Sequence, residues 1–140
     1  MEKSAWIFAR GGSIRVPGKN VALVGGRPLI AWAIEQSQAS GAFNRVLVST
    51  DSEEIARIAR QYGAEVPFLR PPSLSASDSS ELGAWKHAIS WQIEDEGQVP
   101  EIFVSVPTTA PLRRSEDING CIELLKRSRA DLAMTVTPAK

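Results

Sequence analysis

The chain has 140 residues, a length that fits one domain with a sizeable buried core. Sixteen Lys and Arg balance sixteen Asp and Glu, so the overall charge does not favour nucleic acid or an anionic membrane surface as a partner. The single Cys excludes an internal disulfide, and one Cys with one His argues against a zinc site of the usual kind.

The first predicted elements are a strand, a loop and a helix. The apolar run 5–9 predicts a buried strand, and a glycine-rich loop follows it. Pro28 is suited to the first position of a helix over 29–39, and Gly41 is suited to its end. The β-branched and apolar run 45–49 then predicts a second strand.

The next helix is predicted to begin at Thr50. Thr50 would cap it, with Glu53 three residues later completing a capping box, and Gly63 suits the position just past its end. Residues 65–69 predict a weaker strand, because Pro67 cannot donate to a central ladder.

The second half of the chain continues the alternation of helices and strands. Its predicted elements are a Pro- and Ser-rich loop at 70–80, a helix at about 81–94, a strand at 101–106, a loop at 107–114, a helix that Ser115 would cap and that runs to about 129, and a strand at 132–137. This alternation predicts an α/β domain with a mainly parallel sheet and helices on both faces. Because such domains usually cover a last strand with a further element, we expect the chain to be the front part of a longer domain.

The loop after the first strand concentrates the charge of the chain. Residues 1–30 contain five cations against Glu2 alone, and glycines at 11, 12 and 18 allow backbone amides to approach an anion closely. The sequence therefore predicts a site for a small polyphosphate. No apolar stretch is long enough to span a bilayer and no signal segment is visible, so we expect a cytoplasmic protein.

Two common phosphate-binding loops do not fit these residues. The dinucleotide fingerprint G-x-G-x-x-G is absent, because the three glycines have the wrong spacing. A P-loop ending at Gly18-Lys19 would need a glycine at Ser13, and a Ser or Thr where Asn20 stands.

The segment Ala-Arg-Gly-Gly-Ser-x-Arg-x-Pro-Gly-Lys-Asn at 9–20 resembles the signature of the acylneuraminate cytidylyltransferases, the CMP-sialic acid synthetases and their relatives. Other segments resemble that family in the same order, at 23–32, 48–56, 70–78 and 107–113. The resemblance covers essentially the whole chain. It implies a Rossmann-like nucleotide-diphospho-sugar transferase fold, truncated here at its C-terminal end.

The resemblance also implies a reaction. Such enzymes transfer CMP from CTP to a nonulosonic (sialic-acid-like) acid and release pyrophosphate. It implies Mg²⁺ held by ligands outside this chain, and a homodimer of the full-length protein. The 140 residues would be the CTP-binding part, and we expect them alone to bind CTP weakly and to transfer CMP poorly or not at all. Two alternatives stay open: a related enzyme acting on another sugar acid, and a non-catalytic nucleotide-binding module.

The resemblance assigns the candidate site residues. Arg10 and Lys19 would stabilise the triphosphate and the leaving pyrophosphate, since cations offset the charge that builds there. The predicted nucleotide contacts are Gly11, Gly12, Ser13, Arg15, Asn20, Arg70, Asp78, Ser79, Ser80, Thr108, Thr109 and Arg113.

Several of these residues have a structural alternative. Asn20 would contact the nucleoside or close its own loop, and Asp78 or a neighbouring serine would contact the ligand or cap the following helix. Arg113 would pair with the sugar carboxylate. Asp51 is predicted to be a cap or edge residue rather than a metal ligand. Pro107 stands where many relatives carry Gln, which leaves the acceptor open.

Overall fold

The computed structural model describes residues 2–12, 15–76 and 78–139. Its strands are β1 Lys3–Phe8, β2 Leu23–Val24, β3 Arg27–Pro28, β4 Arg45–Ser49 and β5 Ile102–Ser105. Its α-helices are α1 Leu29–Ala39, α2 Glu53–Gln61, α3 Glu81–Glu96 and α4 Ser115–Ser128, and short 3-10 turns lie at Lys19–Val21 and Pro72–Leu74.

The central sheet is parallel, with the order β4-β1-β5. In its register Trp6 lies beside Leu47 of β4 and Ser105 of β5. Strands of this kind need a crossover helix between them, and α1 connects β1 to β4. The predicted α/β class with a parallel sheet is confirmed. A separate antiparallel hairpin, β2–β3, precedes α1.

Each face of the sheet buries apolar side chains against helices. On one face, alternate β1 residues such as Ile7 pack with α1 and α2, and α4 adds a second cluster around Ile118. On the other face, Trp6 and Leu47 pack against Ala88 of α3. Because successive side chains of β1 point to opposite faces of the sheet, this strand packs against a layer of helices on each face.

A polar network lies under α3 at the amino edge of the sheet. Gln92 is fully buried; its amide nitrogen donates to Ser4 Oγ and Glu96, and its carbonyl oxygen accepts from Trp6 Nε1 at 3.0 Å. Arg45 of β4 forms ion pairs with Glu65, Asp95 and Glu96, and the hydrogen bonds that it donates to Glu65 are the main reason that its pKa is raised. These contacts join the C-terminal turn of α3 to the sheet.

Two predicted strands are wrong. Residues 132–137 form no strand, and the side chains of Leu132, Met134 and Val136 are exposed. An apolar run becomes a strand only when it pairs with a neighbour, and no pairing is recorded for these residues. The stretch 65–69 makes only isolated bridges to Leu47 and Thr50, because Pro67 has no N–H to donate between them.

The predicted caps are also corrected. Ser52, not Thr50, caps α2, and its hydroxyl accepts from Ile55 N. Thr50 stays extended because it is fully buried at the sheet edge and its carbonyl accepts from Arg70 N at 2.7 Å. Ser115 is the first residue of α4 rather than its cap. Arg114 takes the cap position, and its N–H donates to Asp117.

No helix among residues 2–12, 15–76 and 78–139 is long and apolar enough to cross a membrane.

Candidate functional site

The carboxyl ends of the three parallel strands lie at one edge of the sheet, where open α/β sheets bind ligands. The loop after β1, the Thr50–Ser52 turn after β4 and the loop after β5 therefore meet at this edge. The backbone continues the sheet slightly beyond the strands: Ala9 N donates to Ser49 O, and Val106 N donates to Trp6 O.

The peptide that joins Arg10 to Gly11 is held on both sides by side chains. Its carbonyl, on Arg10, accepts from Asn20 Nδ2 at 3.1 Å, and its N–H, on Gly11, donates to Asp51 Oδ1 at 2.8 Å. The orientation of this peptide is thus fixed from two distant points of the chain. The assignment of the Gly11 amide to a phosphate oxygen stays a prediction, and in this structure that amide donates to Asp51.

Asn20 and Thr108 join the first loop to the loop after β5. Both are 6% exposed, and Thr108 Oγ1 donates to Asn20 Oδ1 at 2.8 Å. The Asn20 amide therefore accepts a hydrogen bond from the loop after β5 and donates one to Arg10, at the start of its own loop. It closes the loop after β1, as its structural alternative predicted, and a contact with the nucleoside stays a prediction.

Arg70 is a buried cation at the same edge. It is 7% exposed, and its Nε has no hydrogen-bond partner among the residues that the structure describes. Burial lowers the pKa of Arg70, the Asp51 carboxylate opposes that shift and the Arg10 cation adds to it. A buried guanidinium with an unpaired Nε–H and a second cation nearby favours the binding of an anion at this edge.

A small cavity lies beside these groups. It has a volume of about 30 Å³ and is lined by residues of the first loop, including Arg10, Gly11 and Asn20, by Ser52, which caps α2, and by Glu54 in the first turn of that helix. Such a volume admits one water-sized group, so a nucleotide would lie across its mouth rather than inside it.

The other predicted residues of the first loop lie on the surface. Gly12 and Arg15 are exposed, and Lys19 is half-buried in the turn that follows the left-handed Gly18 at φ 67°. Ser13 lies outside the described residues. Lys19 and Asn20 share that turn, so the lysine lies next to the buried amide that holds the Arg10 carbonyl.

The loop before α3 carries Asp78, Ser79 and Ser80, and two of them have structural roles. Ser80 caps α3, since its hydroxyl accepts from Leu82 N at 3.2 Å, and Ser79 Oγ donates to Ser73 O at 3.0 Å. Asp78 is exposed and is not the cap. A ligand contact by each of the three stays a prediction.

Arg113 is bonded to other residues than Arg10, Asn20 and Thr108. Its guanidinium donates to Gln36 Oε1 of α1 at 2.9 Å and to Pro107 O at 2.6 Å, and burial lowers its pKa. It lines a separate, open cavity of about 580 Å³ between α1 and the start of α4. The structure does not bring it to Arg10, while exposed Thr109 follows Thr108 directly.

Sequence reasoning missed the partners that hold these residues. Gln36 is nearly buried, donates to Pro111 O at 2.7 Å and accepts from Arg113, yet it appears in the sequence as an ordinary helix residue. Asp51 lies at the edge, as predicted, but its bond to Gly11 spans 40 residues of the chain and has no local signal.

The described residues do not form a metal site. Across 2–12, 15–76 and 78–139, no three His, Cys, Asp or Glu side chains are grouped so that they could hold an ion. Asp51 offers its carboxylate to the Gly11 amide instead.

A family model described as Cytidylyltransferase matches residues 5–140. The chain belongs to the cytidylyltransferase family. It is 34% identical over 137 residues to the pseudaminic acid cytidylyltransferase of Campylobacter jejuni strain 81-176, which covers 98% of this chain and 59% of that relative. It is 41% identical over 125 residues to the CMP-N,N'-diacetyllegionaminic acid synthase of Legionella pneumophila, covering 87% of this chain and 52% of the relative.

Solved structures support the fold of this cytidylyltransferase chain. A CMP:2-keto-3-deoxy-manno-octonic acid synthetase complexed with CTP superposes with a TM-score of 0.74 at 19% identity, over 93% of this chain and 49% of that chain. At that identity the likeness shows the fold alone. The chain thus spans somewhat more than half the length of the curated relatives just described.

Proposed function

We propose that the full-length protein transfers CMP from CTP to a nonulosonic acid and releases pyrophosphate. An acceptor hydroxyl oxygen would form a bond to the α-phosphorus of CTP while the bond from that phosphorus to the β-phosphate oxygen breaks. The hydroxyl proton passes to solvent, and the electron pair leaves on pyrophosphate. Residues 1–140 would supply the CTP-binding part.

The observation that carries the proposal is the pair of cations at the carboxyl edge. Arg70 is buried with an unused Nε–H, and Arg10 is close enough to affect its pKa. A buried cation is costly unless an anion accepts its hydrogen bonds, so this arrangement favours a polyanionic ligand. Because the chain belongs to the cytidylyltransferase family, we infer that this polyanion is CTP.

The roles of the cations follow from where charge develops. As the bond to the β-phosphate breaks, negative charge builds on the pyrophosphate, and preorganised cations lower the energy of that state more than the energy of bound CTP. We assign this stabilisation to Arg10 and Lys19. The further contacts proposed for Gly12, Ser13, Arg15, Asp78, Ser79, Ser80 and Thr109 would position the phosphates, ribose and base.

The acceptor is proposed as a class. The relatives' names specify pseudaminic acid and N,N'-diacetyllegionaminic acid, and a Danio rerio relative at 34% identity is named N-acylneuraminate cytidylyltransferase A. We extend this shared class, sialic-acid-like sugar acids, to the present protein. Arg113 would meet the acceptor carboxylate only if it exchanged its bonds to Gln36 and Pro107 for that partner.

Cytidylyltransferases generally use a divalent metal. Since the described residues do not provide a set of ligands, we assign no step of the reaction to a metal here and propose that Mg²⁺ is held by residues outside this chain. A homodimer and a cytoplasmic location of the full-length protein belong to the same proposal.

The test is turnover by the full-length protein. Pyrophosphate release is measured with CTP, Mg²⁺ and each of three acceptors: N-acetylneuraminic, pseudaminic and N,N'-diacetyllegionaminic acid. We expect release with at least one acceptor, and much less when UTP replaces CTP. CTP binding without turnover on any acceptor would instead support the non-catalytic module.

The cations are tested separately by CTP calorimetry on the full-length protein. The double variant Arg10→Ala with Lys19→Ala is expected to weaken CTP binding at least a hundredfold, because each cation is worth about 1.5–3 kcal/mol when it bonds to phosphate. The matched control is Arg57→Ala, which removes a cation from the exposed face of α2. Unchanged CTP affinity in the double variant would refute the assignment.

A further inference from the structure

The Arg10–Gly11 peptide has both of its polar groups bonded to side chains from other parts of the fold. Asn20 Nδ2 donates to its carbonyl and Asp51 Oδ1 accepts from its N–H, at 3.1 and 2.8 Å. Free loops leave such groups to water, whereas here one peptide plane is fixed by two side chains at the ligand edge of the sheet. We propose that Asp51 and Thr108 are positioning residues, which orient this peptide and with it the Arg10 cation; the proposal rests on the function proposed above.

Asp51 is the first of the two supports. It follows Thr50, whose backbone is held at the sheet edge by its bond with Arg70 N, so the carboxylate starts from a fixed point. Gly11 lies so close to the same turn that a Cβ on it would be 3.0 Å from Ser52 Cβ. The first loop is therefore in direct contact with the turn before α2, and Asp51 provides the polar part of that contact.

Thr108 is the second support, and it acts through Asn20. The Thr108 hydroxyl donates to Asn20 Oδ1 at 2.8 Å, which fixes the amide so that Nδ2 points to the Arg10 carbonyl. Asn20 and Thr108 are each only 6% exposed, so water does not easily replace these hydrogen bonds. A continuous line of hydrogen bonds thus runs from the loop after β5, through the Arg10–Gly11 peptide, to the end of β4.

A role of Asp51 through its charge and a role through its position predict opposite effects of its removal on CTP binding. Its carboxylate accepts from the N–H of Gly11, the residue after Arg10, and is close enough to Arg70 to affect its pKa; a negative charge at that place repels a triphosphate. If Asp51 acted by charge alone, its removal would tighten CTP binding. If it orients the peptide, its removal weakens CTP binding even though a repelling charge has gone.

The first experiment measures CTP binding to the full-length protein by calorimetry. Asp51→Ala is expected to weaken binding about tenfold, whereas Asp51→Asn, which keeps an oxygen acceptor for the Gly11 amide, stays within about threefold of wild type. Thr108→Val is expected to weaken binding severalfold, and Thr108→Ser to restore it. Glu101→Ala, which removes a charge at the amino edge of the sheet, is the control and is expected to bind CTP as wild type does.

The second experiment needs no ligand. Hydrogen exchange of the Gly11 amide is followed by NMR, and Asp51→Ala is expected to accelerate it at least tenfold while α1 amides exchange as in wild type. Failure of wild type to bind CTP would count against the proposed function and leave the exchange result to decide this inference. Unchanged Gly11 exchange in Asp51→Ala, or CTP binding as tight as that of wild type, would overturn it.

Discussion

Replacing Arg70 by Met is expected to stabilise the free protein while it weakens CTP binding. Arg70 is 7% exposed and its Nε has no hydrogen-bond partner among the described residues. Folding therefore removes a charged group from water without fully replacing its hydrogen bonds. Met retains the length and apolar surface of the arginine stem but has no charge to bury.

The expected gain in stability is modest. An unsatisfied buried donor costs about 1–3 kcal/mol. Loss of the attraction to Asp51 subtracts from the gain, and loss of the repulsion by Arg10 adds to it. We therefore expect a net gain of about 1 kcal/mol, which for a domain of this size raises Tm by about 3–4 °C. CTP loses a charge-assisted hydrogen bond, so its Kd is expected to rise about 10- to 100-fold.

The assay is thermal unfolding of the full-length protein with and without CTP, together with CTP calorimetry. Wild type should gain the larger Tm shift from CTP, because ligand stabilisation grows with the ratio of ligand concentration to Kd. Arg57→Met on the exposed face of α2 is the control and should change neither quantity. A lower Tm for Arg70→Met without ligand would show that the guanidinium is well satisfied, and an unchanged CTP affinity would show that it does not face the ligand.

Three further predictions concern the stability of the fold and are measured by urea unfolding. Gln92→Leu should cost about 2–3 kcal/mol, because it leaves the buried Trp6 Nε1–H without its acceptor, and it should not alter CTP affinity; a cost under 0.5 kcal/mol would contradict the role of that network. Gly120→Ala should stabilise α4 by about 0.5–1 kcal/mol, since the added Cβ meets nothing within 4 Å. Gly63→Ala should instead cost at least about 1 kcal/mol, because Gly63 has a φ of +90° and its Cβ would be 2.9 Å from Gln38 Nε2. Equal effects of the two alanines would refute this reasoning.

The fold could be predicted from the sequence where local pattern and tertiary contacts agree. The boundaries of α1 and β4 coincide with the predicted ranges 29–39 and 45–49, because Pro28 and a dense apolar run define them locally. Secondary-structure prediction failed where an element depends on contacts with distant parts of the chain. The apolar alternation of 132–137 is a good strand pattern, but a strand also requires a neighbour, which the pattern cannot supply.

The α2 cap shows the same limit on a smaller scale. Thr50 and Ser52 are both good cap residues, and Glu53 makes the Thr50 pattern look complete. The choice falls on Ser52 because Thr50 is held extended at the sheet edge by its bridge to Leu69. That bridge is a tertiary contact, so the local pattern could not include it.

In the candidate site, too, some features could be predicted from the sequence and others depend on tertiary contacts. The family resemblance nominated Arg10, Asn20 and Thr108, and the parallel topology brings the loops that carry them to one edge. The pairs that hold them span 10 to 88 residues of the chain and depend on the fold. Arg113 lies only five residues after Thr108, and its bond to Gln36 of α1 is likewise a tertiary contact that the local sequence does not reveal.

The two cavities have different linings, which the proposed function assigns to different substrates. Arg10, Gly11 and Asn20 line the smaller cavity, and Arg113 and its partner Gln36 line the larger one. Thr108 belongs to the loop that reaches both groups. A change at Thr108 should therefore affect CTP first, through Asn20, whereas a change at Gln36 should free Arg113 and act on the acceptor. Separate effects on the KM values of the two substrates would follow from that arrangement, because the hydrogen bonds of Thr108 and Arg113 share no atom.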